Sequence, residues 1–457
     1  MTIALDHPAR KFGRAKAPGP KMVPVLGLIR AARRDPLEFF SRMAREHGSV
    51  VRFEAGLQPL HLLSSADHIA HVLVQNHANY VKSAYYDKVR PIFGAGMFVV
   101  NGEEWKRKRE FAQPAFKRHK FDSLADVMAG CTADMLDRWE GARNTGTPLD
   151  VAAEMMQLSL RIVFRAFFGT DFQGRMNHMT EALTVIMEEG EKRIWALASA
   201  PSWLPTARNR RLREALRSFD ECVYDLIAPR RREGATGEDL LSLLVAQNME
   251  SGDSAISDRE MRDDLMTLII AGHETTAMAV SWSWYLLSRD SFAAGALREE
   301  AQRVLGDRKP NAEDLRDLVY AKQVVQESMR LYPPFWTISR MALEDDEVDG
   351  YRIPAKSTVM LCPYVTHRDP KVWDNPDRFD PDRFSTARSA GRPRFAFFPF
   401  GGGPRICIGA NFAMMEATFV VAMAAQRFRM RLVPGQDVAP QPMISLRPRN
   451  GLLMTLH

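Results

Sequence analysis

Cys407 lies in a loop that is poorly suited to packing. The segment FPFGGGPRICIGA, from Phe398 to Ala410, holds three consecutive glycines and a proline, which disfavour a core strand or helix. An apolar helical pattern, GANFAMMEATFVVAMAAQRF, starts a residue or two after the cysteine. A sulfur before a helix N-terminus meets unpaired backbone N–H groups and the positive end of the helix dipole. Both favour a thiolate, so the loop predicts a metal-binding or reactive sulfur.

The other residues of the loop indicate what the sulfur binds. Glycines at 401–403 and 409 allow tight turns and a close approach to a flat partner. Arg405 supplies a cation on the same loop. A single thiolate beside room for a planar group is typical of the axial ligand of haem iron. The alternative is a structural cysteine, the interpretation that we adopt for Cys131, Cys222 and Cys362.

A second candidate site interrupts the long apolar helix pattern that follows Ser257. The segment AGHETT, Ala271 to Thr276, places a carboxylate among buried positions, where charge is costly unless it is paired or used. It is not the zinc motif H-E-x-x-H, because position 277 is alanine. Small residues at 271 and 272 would open a groove, and Glu274 with the Thr275 hydroxyl could relay protons into it. A packing glycine followed by surface polar residues is the alternative.

Four segments together resemble a known family, the haem-thiolate monooxygenases or cytochromes P-450. FGGGPRICIG, Phe400 to Gly409, resembles their haem-binding signature F-x-x-G-x-R-x-C-x-G, and AGHETT is similar to their oxygen-activation motif. ESMR, Glu327 to Arg330, is similar to E-x-x-R. NPDRFDPDRF, Asn375 to Phe384, resembles P-E-x-F-x-P-E-R-F, with aspartates at 377 and 382 in place of glutamates. The resemblance covers essentially the whole chain.

The resemblance implies a fold and a cofactor. The fold is mainly α with a small β portion: a triangular helical domain that holds haem b between the long central helix and the cysteine loop. Cys407 would be the axial iron ligand. The residues expected to contact the haem or its propionates are Trp105, Arg109, Arg340, Phe400 and Arg405. Guanidinium groups suit this role because they bind carboxylates through two parallel hydrogen bonds.

The resemblance also implies a reaction. One atom of O2 would be inserted into a hydrophobic small molecule, such as a fatty acid, a terpenoid or an aromatic compound. Ala271 and Gly272 would leave room for oxygen, and Glu274 and Thr275 would supply protons. Glu327 and Arg330 share a helix face and, with Arg383, would form a buried structural network without a catalytic role.

The substrate pocket is expected to be apolar. Its predicted lining residues are Tyr85, Tyr86, Phe93, Met97, Phe98, Ile269, Ala271, Phe335, Trp336, Ile338, Met443 and Ile444. The bulk of Phe335 and Trp336 predicts a narrow channel for slim or flat molecules. A fatty acid would need an anchor such as Tyr85, Lys88 or Arg90, whereas a terpenoid would not, and the sequence leaves this choice open.

Electrons are expected from NAD(P)H through separate proteins, a ferredoxin and a ferredoxin reductase, because no reductase segment follows residue 457. The basic runs KRKR, 106–109, and KRHK, 117–120, could dock an acidic ferredoxin, although a solvated surface is the alternative. A cytoplasmic monomer without a membrane anchor is expected. A peroxide-driven haem-thiolate enzyme and a non-catalytic haem sensor or carrier are the competing functions.

Composition and patterning set the context for these residues. The chain has 457 residues, 46% hydrophobic and 26% charged, with a net charge of +6, the balance of a globular protein. Nucleic-acid binding is not predicted, because the basic residues accompany no matching motif. One domain over 1–457 is expected, with a lead-in over 1–27 that is rich in proline and glycine.

The elements that must position the site are mostly helices. Asp35 and Pro36 predict a helix start, with a stop at Gly48, and SVVRFE and LHLLSS predict a hairpin joined at Ala55-Gly56. A capping box at Ser257 predicts the start of the long central helix. Helical spacing dominates 116–246, and short β pieces are predicted at 351–361, 428–432 and 452–456.

Overall fold

The computed structural model describes residues 15–20, 34–54, 58–116, 121–169, 176–195, 201, 203–234, 237, 239–250 and 256–457. The Ala55-Gly56 turn, the KRHK run and most of the 1–27 lead-in lie outside these residues. Over the described ranges, helices dominate and the strands are short, as the sequence predicts.

The principal helices fill most of the described chain. They are α1 (Pro36–His47), α2 (Ala66–Ala70), α3 (Ala84–Asp87), α4 (Arg90–Phe93), α5 (Gly102–Ala112), α6 (Phe121–Thr145), α7 (Val151–Phe168), α8 (Met176–Trp195), α9 (Ala207–Glu233), α10 (Leu240–Glu250), α11 (Asp258–Leu287), α12 (Ser291–Leu305), α13 (Val319–Leu331), α14 (Pro363–Thr366), α15 (Thr386–Ser389) and α16 (Ala410–Arg427). No helix among the described residues combines the length and hydrophobicity needed to span a membrane.

The predicted helix boundaries have clear local causes. Asp35 caps α1 by accepting a hydrogen bond from the Glu38 N–H, with Pro36 at the first helical position and Gly48 at the end. Ser257 and Glu260 form the predicted capping box at the start of α11. Helix α11 is buried along most of its length and packs against α7 and α16. It therefore runs through the core of the molecule.

Among the described residues, the strands form four small sheets. The strands are β1 (Val50–Phe53), β2 (Leu60–Leu63), β3 (Tyr80–Lys82), β4 (Leu149–Asp150), β5 (Ile338–Ala342), β6 (Asp346–Val348), β7 (Tyr351–Ile353), β8 (Thr358–Leu361), β9 (Met430–Leu432), β10 (Pro440–Pro442), β11 (Leu446–Pro448) and β12 (Leu453–Leu456). The largest sheet has the order β1-β2-β8-β5-β3, and the others are β4-β12-β9, β10-β11 and β6-β7. The predicted hairpin is confirmed, because β1 and β2 pair antiparallel.

Two sheet features position the candidate site. In the largest sheet β2 and β8 are parallel, while β5 pairs antiparallel with both β8 and β3. The β3–β5 pairing places residue 82 directly opposite residue 340. The hairpin of β10 and β11 lies against α11. Segments that are distant in sequence therefore meet at the middle of α11.

Candidate functional site

A largely apolar cavity lies between α11 and the loop that precedes α16. Cys407 lines it from the loop side, and Ala271, Gly272, Glu274 and Thr275 line it from α11. The two motifs are more than 130 positions apart in the sequence, yet they face one space. The packing of α11 on α16 brings them together.

The cysteine loop is held in shape by its own backbone and by a neighbouring helical turn. The Cys407 N–H donates to the Phe400 carbonyl at 2.9 Å. Gly403 has φ +65°, and a β-carbon there would overlap the backbone carbonyl oxygen of Leu73. A β-carbon on Gly402 would overlap the ring of Phe395. The loop can take this path only because these positions lack side chains.

The surroundings of Cys407 have opposing effects on the pKa of its thiol. Burial raises the pKa of the thiol, while the Gly409 N–H and the charge on Arg109 act in the opposite direction and offset it only in part. The helix start at Ala410 therefore offsets the effect of burial on the sulfur only in part. A metal ion bonded to sulfur would hold it as a thiolate, because a coordinating thiol loses its proton. The sulfur lines the cavity, where such an ion can reach it.

Cations converge on the side of the cavity near the loop. Arg109, Arg340 and Arg405 all line it, and the Arg405 guanidinium lies 4.5 Å from the ring centroid of Trp105. Arg109 donates to the Ile406 carbonyl at 2.9 Å. Nη1 of Arg405 is buried and has no hydrogen-bond partner. Burial and the charge on Arg340 lower the pKa of Arg405 to about 10.

Lys82 is a fourth cation in this cluster that sequence reasoning missed. It lines the cavity from β3, directly opposite Arg340 on β5, and its Nζ donates to the carbonyls of Met97 and Val100. Burial, Arg405 and Arg340 lower its pKa to about 6. A lysine at a strand end is usually solvated, so only the strand pairing reveals this position.

The chemistry of this donor set fits haem b. Like charges facing each other across two strands are unfavourable unless an anion lies between or beside them. An orphaned buried guanidinium N–H also needs an acceptor. Two propionate groups would supply the anion and the hydrogen-bond acceptor. The glycine-lined loop with Cys407 would accept the flat macrocycle and its iron. Lys82, Arg109, Arg340 and Arg405 would hold the propionates, and Phe400 also lines this space.

On the opposite side, α11 presents the predicted relay residues. Thr275 Oγ1 donates to the Ala271 carbonyl at 2.7 Å. Glu274 is 2% exposed, and its Oε1 accepts hydrogen bonds from the Ser445 hydroxyl and from Nε of Arg447, the latter at 2.5 Å. No motif in the sequence pointed to Ser445, which precedes β11, or to Arg447, which lies in it.

Gly272 has a packing role as well as a place at the cavity. It lines the cavity, but a β-carbon at this position would lie 3.0 Å from Cγ2 of Val163 on α7. The absent side chain therefore lets α11 and α7 approach each other. Both interpretations from the sequence therefore apply to Gly272: it is a packing glycine, and it lines the predicted groove.

Comparison with known proteins decides the family. The family model for cytochrome P-450 matches residues 17–455. This chain belongs to the cytochrome P-450 family. It is therefore an oxidoreductase of the monooxygenase class, and the family cofactor is a haem held by a cysteine thiolate that reacts with O2.

The chain is similar to several bacterial cytochromes P-450 over nearly its full length. It is 35% identical to cyclooctatin synthase of Streptomyces melanosporofaciens over 450 residues, 98% of this chain and 96% of the relative. It is 33% identical to cyclooctat-9-en-7-ol 5-monooxygenase of the same organism, covering 94% and 92%. It is 32% identical to pentalenene oxygenase of Streptomyces avermitilis, covering 94% of each.

Most of the predicted pocket residues of this cytochrome P-450 line the cavity. These residues are Tyr86, Phe93, Met97, Phe98, Ala271, Phe335, Ile338 and Ile444. The ring of Phe98 lies 5.0 Å from Phe93, 5.1 Å from Tyr86 and 6.2 Å from Phe335, measured between centroids. These four rings form an aromatic group that lines the cavity.

Four predicted pocket residues do not line the cavity. Tyr85 lies at the surface, 37% exposed, because in the short helix α3 it is the neighbouring Tyr86 that faces inward. Ile269 is fully buried in the core, while Leu268 and Ile270 reach the cavity. Trp336 packs against Phe40, with 6.5 Å between their ring centroids, and its Nε1 donates to the Met443 carbonyl. Met443 contributes its carbonyl to this bond and does not line the cavity. Because Trp336 packs away from the cavity, only Phe335 of the two bulky residues narrows the channel.

The E-x-x-R pair lies outside the cavity, in a buried network. Both side chains are fully buried, and Arg330 donates two hydrogen bonds, of 2.6 and 2.7 Å, to the Glu327 carboxylate. Nε of Arg383 lies 3.3 Å from Glu327 Oε1. Arg330 also donates to the His367 carbonyl, and Nε2 of His367 accepts from the Phe398 N–H. This chain of contacts connects α13 to the start of the cysteine loop.

The KRKR run does not form the uniform surface patch that the sequence suggested. Lys108 is 1% exposed, and its Nζ pairs with Asp264 of α11 at 2.9 Å, while Arg109 faces the cavity. Only Lys106 and Arg107 are exposed, and Arg107 is paired with Glu260. Alternate sides of a helix face different surroundings, so a run of four basic residues cannot all point to solvent.

Proposed function

We propose that this cytochrome P-450 hydroxylates an uncharged terpenoid, with electrons delivered from NAD(P)H through a ferredoxin and a ferredoxin reductase. The observation that carries the proposal is the shared cavity, which is lined by Cys407 and a group of basic residues together with Glu274, Thr275 and an aromatic group. The balance is RH + O2 + 2 electrons + 2 protons giving ROH + H2O. Haem, when bound, supplies the reductive activation of O2.

The residues near the loop would bind and orient the cofactor. Cys407 would be the sulfur ligand, and Trp105 would support the Arg405 guanidinium through its ring face. Arg109, Arg340, Arg405 and Lys82 would neutralise the propionates, which also relieves the repulsion among these cations. The Glu327, Arg330 and Arg383 network would keep the loop in place from outside the cavity.

The residues of α11 would manage protons. Two protons are consumed in each turnover, and the cavity is otherwise largely apolar. Thr275 Oγ1 lies on the cavity side with its own proton directed to the Ala271 carbonyl, so its oxygen can accept a hydrogen bond from a water molecule. Glu274, the residue before Thr275, would replace the protons that turnover consumes. Ala271 and Gly272 would leave space for O2 beside the helix.

The lining of the cavity supports an uncharged substrate. Among the described residues, the cations that line it are the four assigned to the propionates. The candidate anchors for a fatty-acid carboxylate do not reach it: Lys88 donates to the Ile194 carbonyl, Arg90 is exposed beside Asp87, and Tyr85 is at the surface. The aromatic group fits a compact hydrocarbon, and the names of two relatives specify pentalenene and an alkenol as substrates.

A spectral test comes first. Reduced protein with carbon monoxide should give the strongly red-shifted Soret band of thiolate ligation, and Cys407→His should abolish it. Terpenoids, fatty acids and aromatic compounds are then screened for a spin-state change of the haem. Pentalenene and related terpenoids should cause the change, and a response to fatty acids alone would overturn the substrate assignment.

Turnover with a ferredoxin, its reductase and NADPH tests the proton relay. Thr275→Ala should still consume NADPH but release mainly hydrogen peroxide, with product formation lowered about 100-fold or more. Ser281→Ala is the matched control, because it removes a similar 2.7 Å hydroxyl-to-carbonyl bond on the same helix. Tight coupling in Thr275→Ala would contradict the relay. Absence of any NADPH-dependent turnover, with haem bound normally, would favour a carrier or sensor.

A further inference from the structure

Glu274, the acid of the α11 motif, is held by two residues far away in sequence, Ser445 and Arg447. We call these two residues the clamp. Oε1 of Glu274 accepts from the Ser445 hydroxyl and from Nε of Arg447 at 2.5 Å, and Nη2 of Arg447 also lies 2.5 Å from it. Three donors therefore converge on one carboxylate oxygen. Glu274 and Ser445 are almost fully buried and both line the cavity, whereas Arg447 is 25% exposed and reaches outward.

We propose that Arg447, assisted by Ser445, is a positioning residue for Glu274: it fixes Oε1 of the carboxylate and leaves Oε2 as the oxygen that exchanges protons with the cavity. This inference rests on the proposed function, because it assigns a purpose to the clamp within the relay. A buried carboxylate without a partner would take up a proton or turn away to find one. With Arg447 present, neither is needed, and the carboxylate stays at the wall of the cavity.

A second carboxylate interacts electrostatically with Arg447 and Glu274. Helix α8 crosses this region: a β-carbon on its Gly190 would lie 3.2 Å from Cδ1 of Ile92 and 3.5 Å from Cδ1 of Ile444. Glu191, the next residue, is half-buried and is influenced by both Arg447 and Glu274. One guanidinium is thus shared electrostatically between an inner and an outer carboxylate.

The charges around Glu191 set when it can carry a proton. Burial raises its pKa to about 7, Arg447 and Lys192 act to lower it, and Glu274 and Glu188 act to raise it. His273, also on α11, is fully buried, and burial lowers its pKa, so it is neutral at pH 7. Glu191 therefore changes its charge near neutral pH, and Arg447 and Glu274 both influence that change.

The choice of oxidant separates positioning from a merely structural role. Turnover with O2 and NADPH consumes two protons, whereas RH + H2O2 giving ROH + H2O consumes none. Losing the clamp should impair the first reaction and largely spare the second. A variant that simply disturbs the cavity should impair both.

The experiment uses the full-length holoprotein, a ferredoxin with its reductase, and pentalenene as the probe. Arg447→Leu and Ser445→Ala are compared with Arg449→Leu, an exposed arginine two positions further along the same hairpin. Arg447→Leu should raise hydrogen peroxide released per NADPH consumed about fivefold or more, with a smaller rise in Ser445→Ala. Product formed with added H2O2 should stay within about twofold of wild type, and Arg449→Leu should match wild type in both assays.

Each other outcome has a defined meaning. Unchanged coupling in Arg447→Leu overturns the proposal, and an equal loss with both oxidants reduces Arg447 to a fold-supporting residue. If wild-type protein makes no product from pentalenene with either oxidant, the proposed function fails, and thermal unfolding then decides on the clamp. Arg447→Leu should unfold at lower temperature than wild type at pH 8, with a smaller difference at pH 5.5, and Arg447→Leu/Glu274→Gln should recover most of the loss. Equal unfolding temperatures of wild type and Arg447→Leu would also overturn the proposal that Arg447 positions Glu274.

Discussion

Replacing Gly403 with alanine tests whether the path of the cysteine loop depends on a missing side chain. Gly403 has φ +65°, a region that L-residues rarely adopt. A β-carbon there would overlap the Leu73 carbonyl oxygen, well under the 3.0 Å that real Cβ atoms keep. The residue follows two other glycines and lies four positions before Cys407. Any movement of this turn is therefore passed on towards the sulfur.

The expected magnitude has two parts. The left-handed backbone costs an alanine about 1–2 kcal/mol. Relieving the overlap requires the loop and the carbonyl to move apart by more than about 1 Å, which is an overpacking change that costs about 1–3 kcal/mol more. Gly435→Ala is the matched control, because its φ is +79° and its β-carbon would have no atom within 4 Å. Gly435→Ala should lose only the first part.

Two measurements check this reasoning. Denaturant unfolding should give a loss of about 2–5 kcal/mol for Gly403→Ala and about 1–2 kcal/mol for Gly435→Ala. The reduced, carbon monoxide-bound spectrum should lose much of its red-shifted band in Gly403→Ala alone. Equal losses of stability and equal spectra in the two variants would refute the argument, since strain without overlap would then explain both.

Two further predictions concern buried lysines. Lys82 has a pKa lowered from 10.5 to about 6, so between these values the unfolded chain binds a proton that the folded, haem-free chain does not. The free energy of unfolding of haem-free protein should therefore rise with pH in this window, by up to about 1.4 kcal/mol per pH unit. Lys82→Met should flatten this rise and weaken haem retention. A free energy of unfolding that does not change with pH in the wild type would contradict the prediction. Lys108→Met leaves Asp264 buried and unpaired, so denaturant unfolding should show a loss of about 3–5 kcal/mol that Lys108→Met/Asp264→Asn largely recovers. Arg107→Met, which breaks an exposed pair on the same helix, should cost about 1 kcal/mol or less, and a similar loss in both single variants would count against the role of burial.

Local chemistry explains why the helices and the cysteine loop could be predicted from the sequence. The start of α11 is encoded within four residues, in the reciprocal hydrogen bonds of Ser257 and Glu260. Asp35, Pro36 and Gly48 likewise act on their own helix. The spacing of Phe400, Arg405, Cys407 and Gly409 resembles a family signature without reference to any other segment. Such signals depend on neighbours in sequence, which a reader of the sequence can see.

Side-chain direction marks the limit of that approach. The sequence placed Tyr85, Ile269, Trp336 and Met443 in the pocket because their neighbours belong there, yet a rotation of about 100° per helical residue separates Ile269 from Ile270. The same rotation buries Lys108 and exposes Arg107. A pattern that identifies the correct segment therefore does not identify which of its residues face the cavity.

The sequence by itself determined the family, the mainly helical fold and the two motifs that face each other across the cavity, because these follow from local capping, periodicity and contiguous signatures. Only the tertiary structure decided the partners of those motifs. Lys82 meets Arg340 through strand pairing, and Glu274 meets Arg447 173 positions later in the chain. Buried charges are tolerated only when a partner lies within a few ångströms, and that distance is set by how helices and strands pack.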